Sequence, residues 1–398
     1  MRITVLCHYP LTAGLSMQAF AGLLQQALEG CGHRVQLRSA PVLLGRLARG
    51  GALRKWLGYV DCFVLFPLLF SWQQWVNGRA DLYVLSDQAL GLWLPLLGCH
   101  PHVIHCHDFL ALQAALGGAS GPLASQTAWS GRLYQRLIRW GFRHGQCFVS
   151  VSAATQRQLH AQLGHQALLS EVLPNPLPER FGLWSSERCD RVLQQALVSG
   201  VPARFLLHVG RGWYKNRLGV LQIWEQLRLQ EPAAGAFALI LVGALEPDLQ
   251  QWLLMHPQLQ ADLHVLQDAS DDLVIALYNR AEALLFPSDA EGFGWPVLEA
   301  LACGCAVLTT AVPPLTDVGG PWVTAIPPAP AVAAARAGWA AAAARTLALQ
   351  LAQDPSTRQQ QRQGGLHWAS QFNAGDWADQ LRTLYQRAWQ LQLQESRP

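Results

Sequence analysis

The feature that most limits what this chain can become is an alternation of short β-rich runs with helical patterns, and it occurs twice. In the first half, "RITVLCHY", "RVQLRSA", "DLYVLSD", "PHVIHCHD" and "CFVSVSA" are strand candidates, each ending in small or polar residues. The first is followed by "MQAFAGLLQQALEGCG", apolar at helical spacing and closed by Gly30 and Gly32. The second half restarts the pattern with "RFLLHVG", "FALILVG", "DLHVLQD", "ALLFPS" and "CAVLTT", again separated by helical segments. Such alternation implies mostly parallel sheets with helices on both faces. The expected fold class is α/β, two Rossmann-like doubly wound domains facing a central cleft that collects the carboxyl ends of their strands.

Between the halves lies "EVLPNPLPERFGLWSSERCD", dense in Pro and polar residues, which reads as the connection. The expected domains are 1–177 and 178–375, with a terminal helix at 376–398 from "AGDWADQLRTLYQRAWQLQLQ". A length of 398 residues suits two domains, each of about 150–200 residues.

Composition narrows the function classes. Apolar residues make up 51% and charged residues 14%, as in a folded protein, and a net charge of +3 does not suggest a nucleic-acid partner. Nine cysteines without a C-x-x-C pair, several inside apolar runs (Cys7, Cys62, Cys147), read as buried thiols in a reducing compartment. The start lacks the pattern of a signal peptide. The longest apolar stretch, "CFVLFPLLFSW", is short of the roughly 18–20 residues of a spanning helix. These signs point to the cytoplasm, with a peripheral place on the inner face of a membrane left open.

Chemistry-bearing residues fall where strands end. In "FPSDAEGFGWPVLEALACGCAVLTT", Glu291 and Glu299 bracket seven residues. Gly292 and Gly294 permit close backbone approach to a ligand, and Pro296 suits the first turn of a helix over about 296–303. Amides around Phe293, Gly294 and Trp295 would then form a positively polarised helix terminus for a phosphate or sugar hydroxyl. The two carboxylates suit paired sugar hydroxyls; a plainer reading makes them a loop cap and a dipole partner. The loop "GRGWYKN" presents Arg211 and Lys215, cations able to clamp a diphosphate or simply to be solvated. Lysines number only two, Lys55 and Lys215, against 27 arginines.

"CHPHVIHCHDF" gathers His100, His102, His105, His107 and Asp108. Strand pleating puts His105 and His107 on one face and Cys106 on the other, and no second ligand pair at zinc spacing exists, so no metal site is expected. His107 and Asp108 are candidate ligand-side residues. In "SGRLYQRLIRWGFRHG", Arg132, Arg136, Arg139 and Arg143 form one helical stripe beside Leu133, Leu137 and Trp140. That face is either solvated, the plainer reading, or laid on anionic lipid.

At these residues the sequence resembles the retaining glycosyltransferases of family four. The E-x7-E region carries the resemblance most specifically, and "HVGRGWYKN", "VIHCHD", "FVSVSAAT", "LPNPL" and "LYNRAEALLFPS" follow in the family's order. The resemblance implies the GT-B fold, with the C-terminal helix packing back on an N-terminal acceptor-side domain and the second domain binding a nucleotide sugar. It implies transfer of a hexose with retention to a glycan, lipid-linked or small-molecule acceptor, without metal or cofactor, the nucleotide sugar being substrate. It assigns Lys215 to the donor diphosphate, Glu299 to the ribose, and Glu291 with the Phe293–Gly294 amides to sugar and phosphate. His107 would face the donor sugar, and the Gly14 loop the phosphates. Arg211 stands four residues before Lys215, where the family's Arg stands five before. A nucleotide-sugar epimerase and a non-catalytic sugar- or partner-binding protein are the alternatives. A dinucleotide oxidoreductase is disfavoured because no G-x-G-x-x-G follows the first strand.

Overall fold

The computed structural model describes the chain apart from residues 12–14, 48–50, 118–126, 198–199, 231–236 and 396–398. It forms two compact units, one made of Met1–Asn175 with Gly375–Pro398, the other of Pro176–Ala374. The C-terminal helix is thus part of the first unit.

The first unit holds a six-stranded parallel sheet of β1 (Arg2–Leu6), β2 (Arg34–Arg38), β3 (Leu82–Leu85), β4 (His102–Cys106), β5 (Cys147–Ser150) and β6 (Leu169–Val172). Their order is β2-β1-β3-β4-β5-β6. The second holds β7 (Phe205–Val209), β8 (Ala238–Val242), β9 (Leu263–Leu266), β10 (Ala283–Phe286), β11 (Val307–Thr310) and β12 (Thr324–Ile326), all parallel, ordered β12-β11-β10-β7-β8-β9. Inner strands covered on both faces must be apolar throughout, and "ALILV" of β8 and "ALLF" of β10 are buried at every position. Each sheet has one switch point where strand order reverses, between β1 and β3 and between β7 and β10. In open α/β sheets ligands bind there.

One face of the first sheet is covered by the helix Leu15–Gly30 and by the last helix, Ala374–Glu395. Trp377, Leu381, Tyr385 and Ala388 recur every three or four residues and pack with Phe20, Val84 and Val103. The contact is also polar: Tyr385 Oη lies 2.6 Å from His105 Nε2, and Gln392 Nε2 donates to the His102 carbonyl at 2.9 Å. The opposite face packs Ile104, Cys106 and Phe148 against Phe66, Phe70 and Trp93. His105 and Cys106 thus lie on opposite faces, as the pleat requires. The second core centres on Trp224, wholly buried, whose Nε1 donates to the Phe237 carbonyl at 2.8 Å.

Some elements depart from the sequence reading. The Pro-rich connection begins inside β6, where Glu171 and Val172 pair with Val149 and Ser150, and ends in a helix, Ser186–Ala196, capped by Ser185. Short half-buried edge strands such as β6 and β12 carry too few apolar residues to stand out. "CFVLFPLLFSW" belongs to a helical run, Gly51–Val60, Asp61–Leu65 with π-type bonding, and Phe66–Asn77. Among the described residues no helix is long and apolar enough to cross a membrane.

Candidate functional site

In the second unit the loops leaving β7 and β10, the strands flanking the switch point, deliver Lys215 and Glu291. The chain leaves β7 through Gly210 and Gly212, at φ 107° and 124°, angles that a side chain would strain. A Cβ at Gly210 would also lie 3.3 Å from Lys215 Cε. Asn216, at φ 49°, joins the two loops: its amide donates to the Pro287 carbonyl at 3.1 Å, and its Oδ1 accepts from Gly219 N at 3.2 Å. That second bond caps the helix Arg217–Gln230.

So held, Lys215 Nζ donates to Glu291 Oε1 at 2.7 Å, with the two side chains only 9% and 8% exposed. The ammonium also lies 4.5 Å from the Phe286 ring. Lys215 is therefore a buried, paired cation, and the solvated alternative is excluded. The following helix spans Trp295–Ala302, starting one residue earlier than its proline suggests. It begins at Gly294, φ 101°, with no side-chain cap. A Cβ there would stand 2.9 Å from Leu315 Cδ2, so the glycine also serves close packing. Phe293 is buried, its ring 5.4 Å from that of the half-buried Trp295. One turn into the helix, Glu299 Oε2 accepts from Tyr278 Oη at 3.1 Å. Burial pushes the Glu299 carboxyl up to about 7; the Tyr278 bond and the charges of Arg180 and Lys215 act against that rise.

Arg211 takes no place in this pair. It is exposed, and its stem lies over Gly243, where a Cβ would collide with Arg211 Cγ. The buried cation nearby is Arg217, which donates to the carbonyls of Gly243 and Ala244 and to Glu246.

In the first unit the switch point has its own ion pair. His8 follows β1 and Asp87 follows β3, with His8 Nε2 3.3 Å from Asp87 Oδ2. Burial alone would lower the His8 pKa, but the hydrogen bond and charge of Asp87 outweigh it and raise it. Burial would raise Asp87, yet His8 and the Ala89 N–H hold it below the usual carboxylate range. His107 lies beside them, its Nε2 donating to the Ser86 carbonyl at 3.0 Å and its ring 4.5 Å from Phe20. Burial lowers its pKa, so the ring is neutral and its lone pair sits on Nδ1. Asp108 turns to its own helix, accepting from Leu110 N at 3.0 Å. Gly14 lies outside the described residues. A cavity of about 440 Å³ opens beside His8, lined by Tyr59, Phe63, Trp93 and Tyr134 with Arg54 and Lys55.

His8, Asp87 and Tyr278 were missed in the sequence. The first two do stand directly after strand-like runs, in "LCHYP" and "VLSDQ". Nothing in one sequence says that those strands are neighbours.

Two parallel six-stranded units of this topology make up the GT-B fold. Sucrose-phosphate synthase from Thermosynechococcus elongatus superposes with a TM-score of 0.71 at 16% identity, over 97% of this chain and 99% of that one. HepE of Anabaena, solved in complex with UDP and glucose, gives 0.65 at 18% identity, over 96% and 98%. Residues 3–176 match the family model "Glycosyl transferase 4-like domain", and residues 193–362 match "Glycosyl transferases group 1". The chain belongs to the family-four glycosyltransferases. Among curated proteins it is 34% identical over 185 residues to the serotype-specific mannosyltransferase WbdA of Escherichia coli. That match takes in 44% of this chain and 22% of WbdA, so the chain spans about a fifth of that relative.

Proposed function

We propose that this protein transfers a hexose from a nucleoside-diphosphate sugar to a glycan, lipid-linked or small-molecule acceptor, with retention and without a metal ion. The observation that carries the reading is the buried Lys215–Glu291 pair at the switch point of the second sheet, with an uncapped helix N-terminus and Glu299 following in the same segment. A diphosphate brings more negative charge than one carboxylate. It draws Lys215 from Glu291 and leaves that carboxylate to accept from sugar hydroxyls. Lys215 and the amides at Gly294 then oppose the charge that grows on the departing diphosphate. Glu299, ionised as it binds, accepts from the ribose hydroxyls.

His107 serves the sugar through Nδ1, and the cavity beside His8, walled by aromatic rings and two cations, receives the acceptor. A peripheral membrane contact through Arg132, Arg136, Arg139 and Arg143 and a cytoplasmic location belong to the same reading. The mannosyltransferase relative makes a mannosyl donor the first to try.

Thermal stabilisation of the purified chain by UDP, GDP, ADP and their sugars tests the donor class. A ligand at about 100 times its Kd contributes about 2.7 kcal/mol. Stabilisation by none of them, or by one of them unchanged in Lys215→Ala, would overturn the reading. Product analysis by NMR distinguishes transfer from epimerisation of a free donor.

A further inference from the structure

Two helical segments of the first unit expose what a monomer normally hides. Along the run from 51 to 77, Trp56, Val60, Val64, Leu68, Trp72 and Trp75 recur every three or four residues and are 36–82% exposed. The helix Trp129–Phe142 exposes Trp129, Leu133, Leu137 and Trp140 at the same spacing. The two segments meet: the Tyr134 ring lies 5.8 Å from Tyr59 and 6.0 Å from Phe63. The segments thus adjoin, and exposed apolar residues in such number mark a docking face.

Charge selects the occupant. From residue 39 to 170 the sequence has ten Arg and Lys against four Asp and no Glu. The one acid in the helical run, Asp61, is buried and accepts from Tyr9 Oη at 2.6 Å and Gly45 N at 2.9 Å. Arg54, Lys55, Arg132, Arg136 and Arg143 are exposed on the same segments. A second copy would bring cations onto cations, and nucleic acid would leave the tryptophans in water. An anionic bilayer satisfies both components, with indole rings at the headgroup level and arginines on phosphates. We propose that this two-helix face docks on anionic lipid through inserted tryptophans and leucines, the arginines adding attraction. This extends the arginine contact of the proposed function, with the apolar stripe as its main anchor, and requires no transferase activity.

The full chain is sedimented with vesicles of phosphatidylcholine alone or with added phosphatidylglycerol, at low and high salt. Binding is expected with the anionic vesicles, reduced but not abolished by salt. Trp72→Glu with Trp75→Glu should weaken partition on the order of tenfold or more. Arg136→Gln and Arg143→Gln should each weaken it about fivefold at low salt only. Should the tryptophan variant fail to fold, Trp129→Glu with Trp140→Glu and quenching of wild-type tryptophan fluorescence by brominated lipid read the same insertion. No sedimentation with either vesicle, binding fully abolished by salt, or binding unaffected by the tryptophan changes would overturn the proposal. So would light scattering showing a dimer that those changes split. Nucleotide stabilisation in the same preparations reports on the second unit, so failure of the docking face and failure of the donor reading remain distinct.

Discussion

The two sheets can be compared at the same place, the gap where strand order reverses. In each, the loops of the flanking strands close over it with a cation and a carboxylate: His8 with Asp87 in the first unit, Lys215 with Glu291 in the second. The shared geometry follows from topology, because only there do adjacent loops diverge to opposite faces and leave room for a ligand. The difference lies in the cation. A lysine stays charged across the physiological range, whereas a histidine is charged only while its carboxylate partner holds the proton there. The second pair suits a ligand that is always anionic, and the first can change state.

The largest effect should come from breaking the permanent pair. Lys215→Ala should lower sugar transfer on the order of 100–1000-fold. It should also lower stability by about 3–5 kcal/mol, because Glu291 is left buried and unpaired. Lys215→Met combined with Glu291→Gln should recover the melting temperature but not product formation. Recovery of both would remove the distinction between the sites.

Next in size is a liability the two units share. Burial holds His105 on β4 and His208 on β7 at about 3, far below the ordinary histidine value. Both are neutral when folded, so the stability they leave intact above about 6.5 is lost as the pH falls. At about pH 5 each should cost roughly 2 kcal/mol, read by calorimetry. A chain as stable at that pH as at 7 would contradict it.

The titratable pair should contribute less, about 1.5 kcal/mol. Asp87 is depressed, so its share is present above the ordinary carboxylate pKa and lost on acidification. His8 is raised, so its share is present below about 6.5 and lost as the pH climbs through the folded value. The stability gap between wild type and Asp87→Asn should therefore be widest between those limits and narrow in alkali. A gap that stays constant into alkali would make this pair as permanent as the other.

The smallest effect sharpens the donor side. If Glu299 must ionise to accept from a ribose, nucleotide affinity should rise by about tenfold as the pH passes through about 7, and Glu299→Gln should flatten the titration curve.

How much of this was legible beforehand depended on whether the signal was local. β8 and β10 announce themselves because covered parallel strands are apolar throughout, and Lys215, Glu291 and Glu299 stand in a compact, resembling segment. The pairing of Lys215 with Glu291 was not legible: 76 positions separate them, and they meet because β7 and β10 are neighbours. His8 and Asp87 were hidden for the same reason, since neither "LCHYP" nor "VLSDQ" tells which strand lies alongside. The exposed tryptophans from 56 to 75 were masked differently, because an apolar run reads as core until its helix is seen to turn that face outward. Asp61, an acid inside that run, becomes intelligible only once Tyr9 and the backbone at Leu44 and Gly45 are seen to receive it.

The return of the last helix has a consequence for how the molecule is made. A ribosome finishes β1 to β6 long before it reaches Trp377, Leu381 and Tyr385, yet these residues complete one face of that sheet. The first unit must wait, with Phe20 and Val84 uncovered and His105 lacking its phenol, while the second is synthesised and free to fold ahead of it. Order of assembly therefore runs against order of synthesis, and a fragment stopping at residue 175 should be aggregation-prone, one side of its sheet covered by the helix Leu15–Gly30 alone.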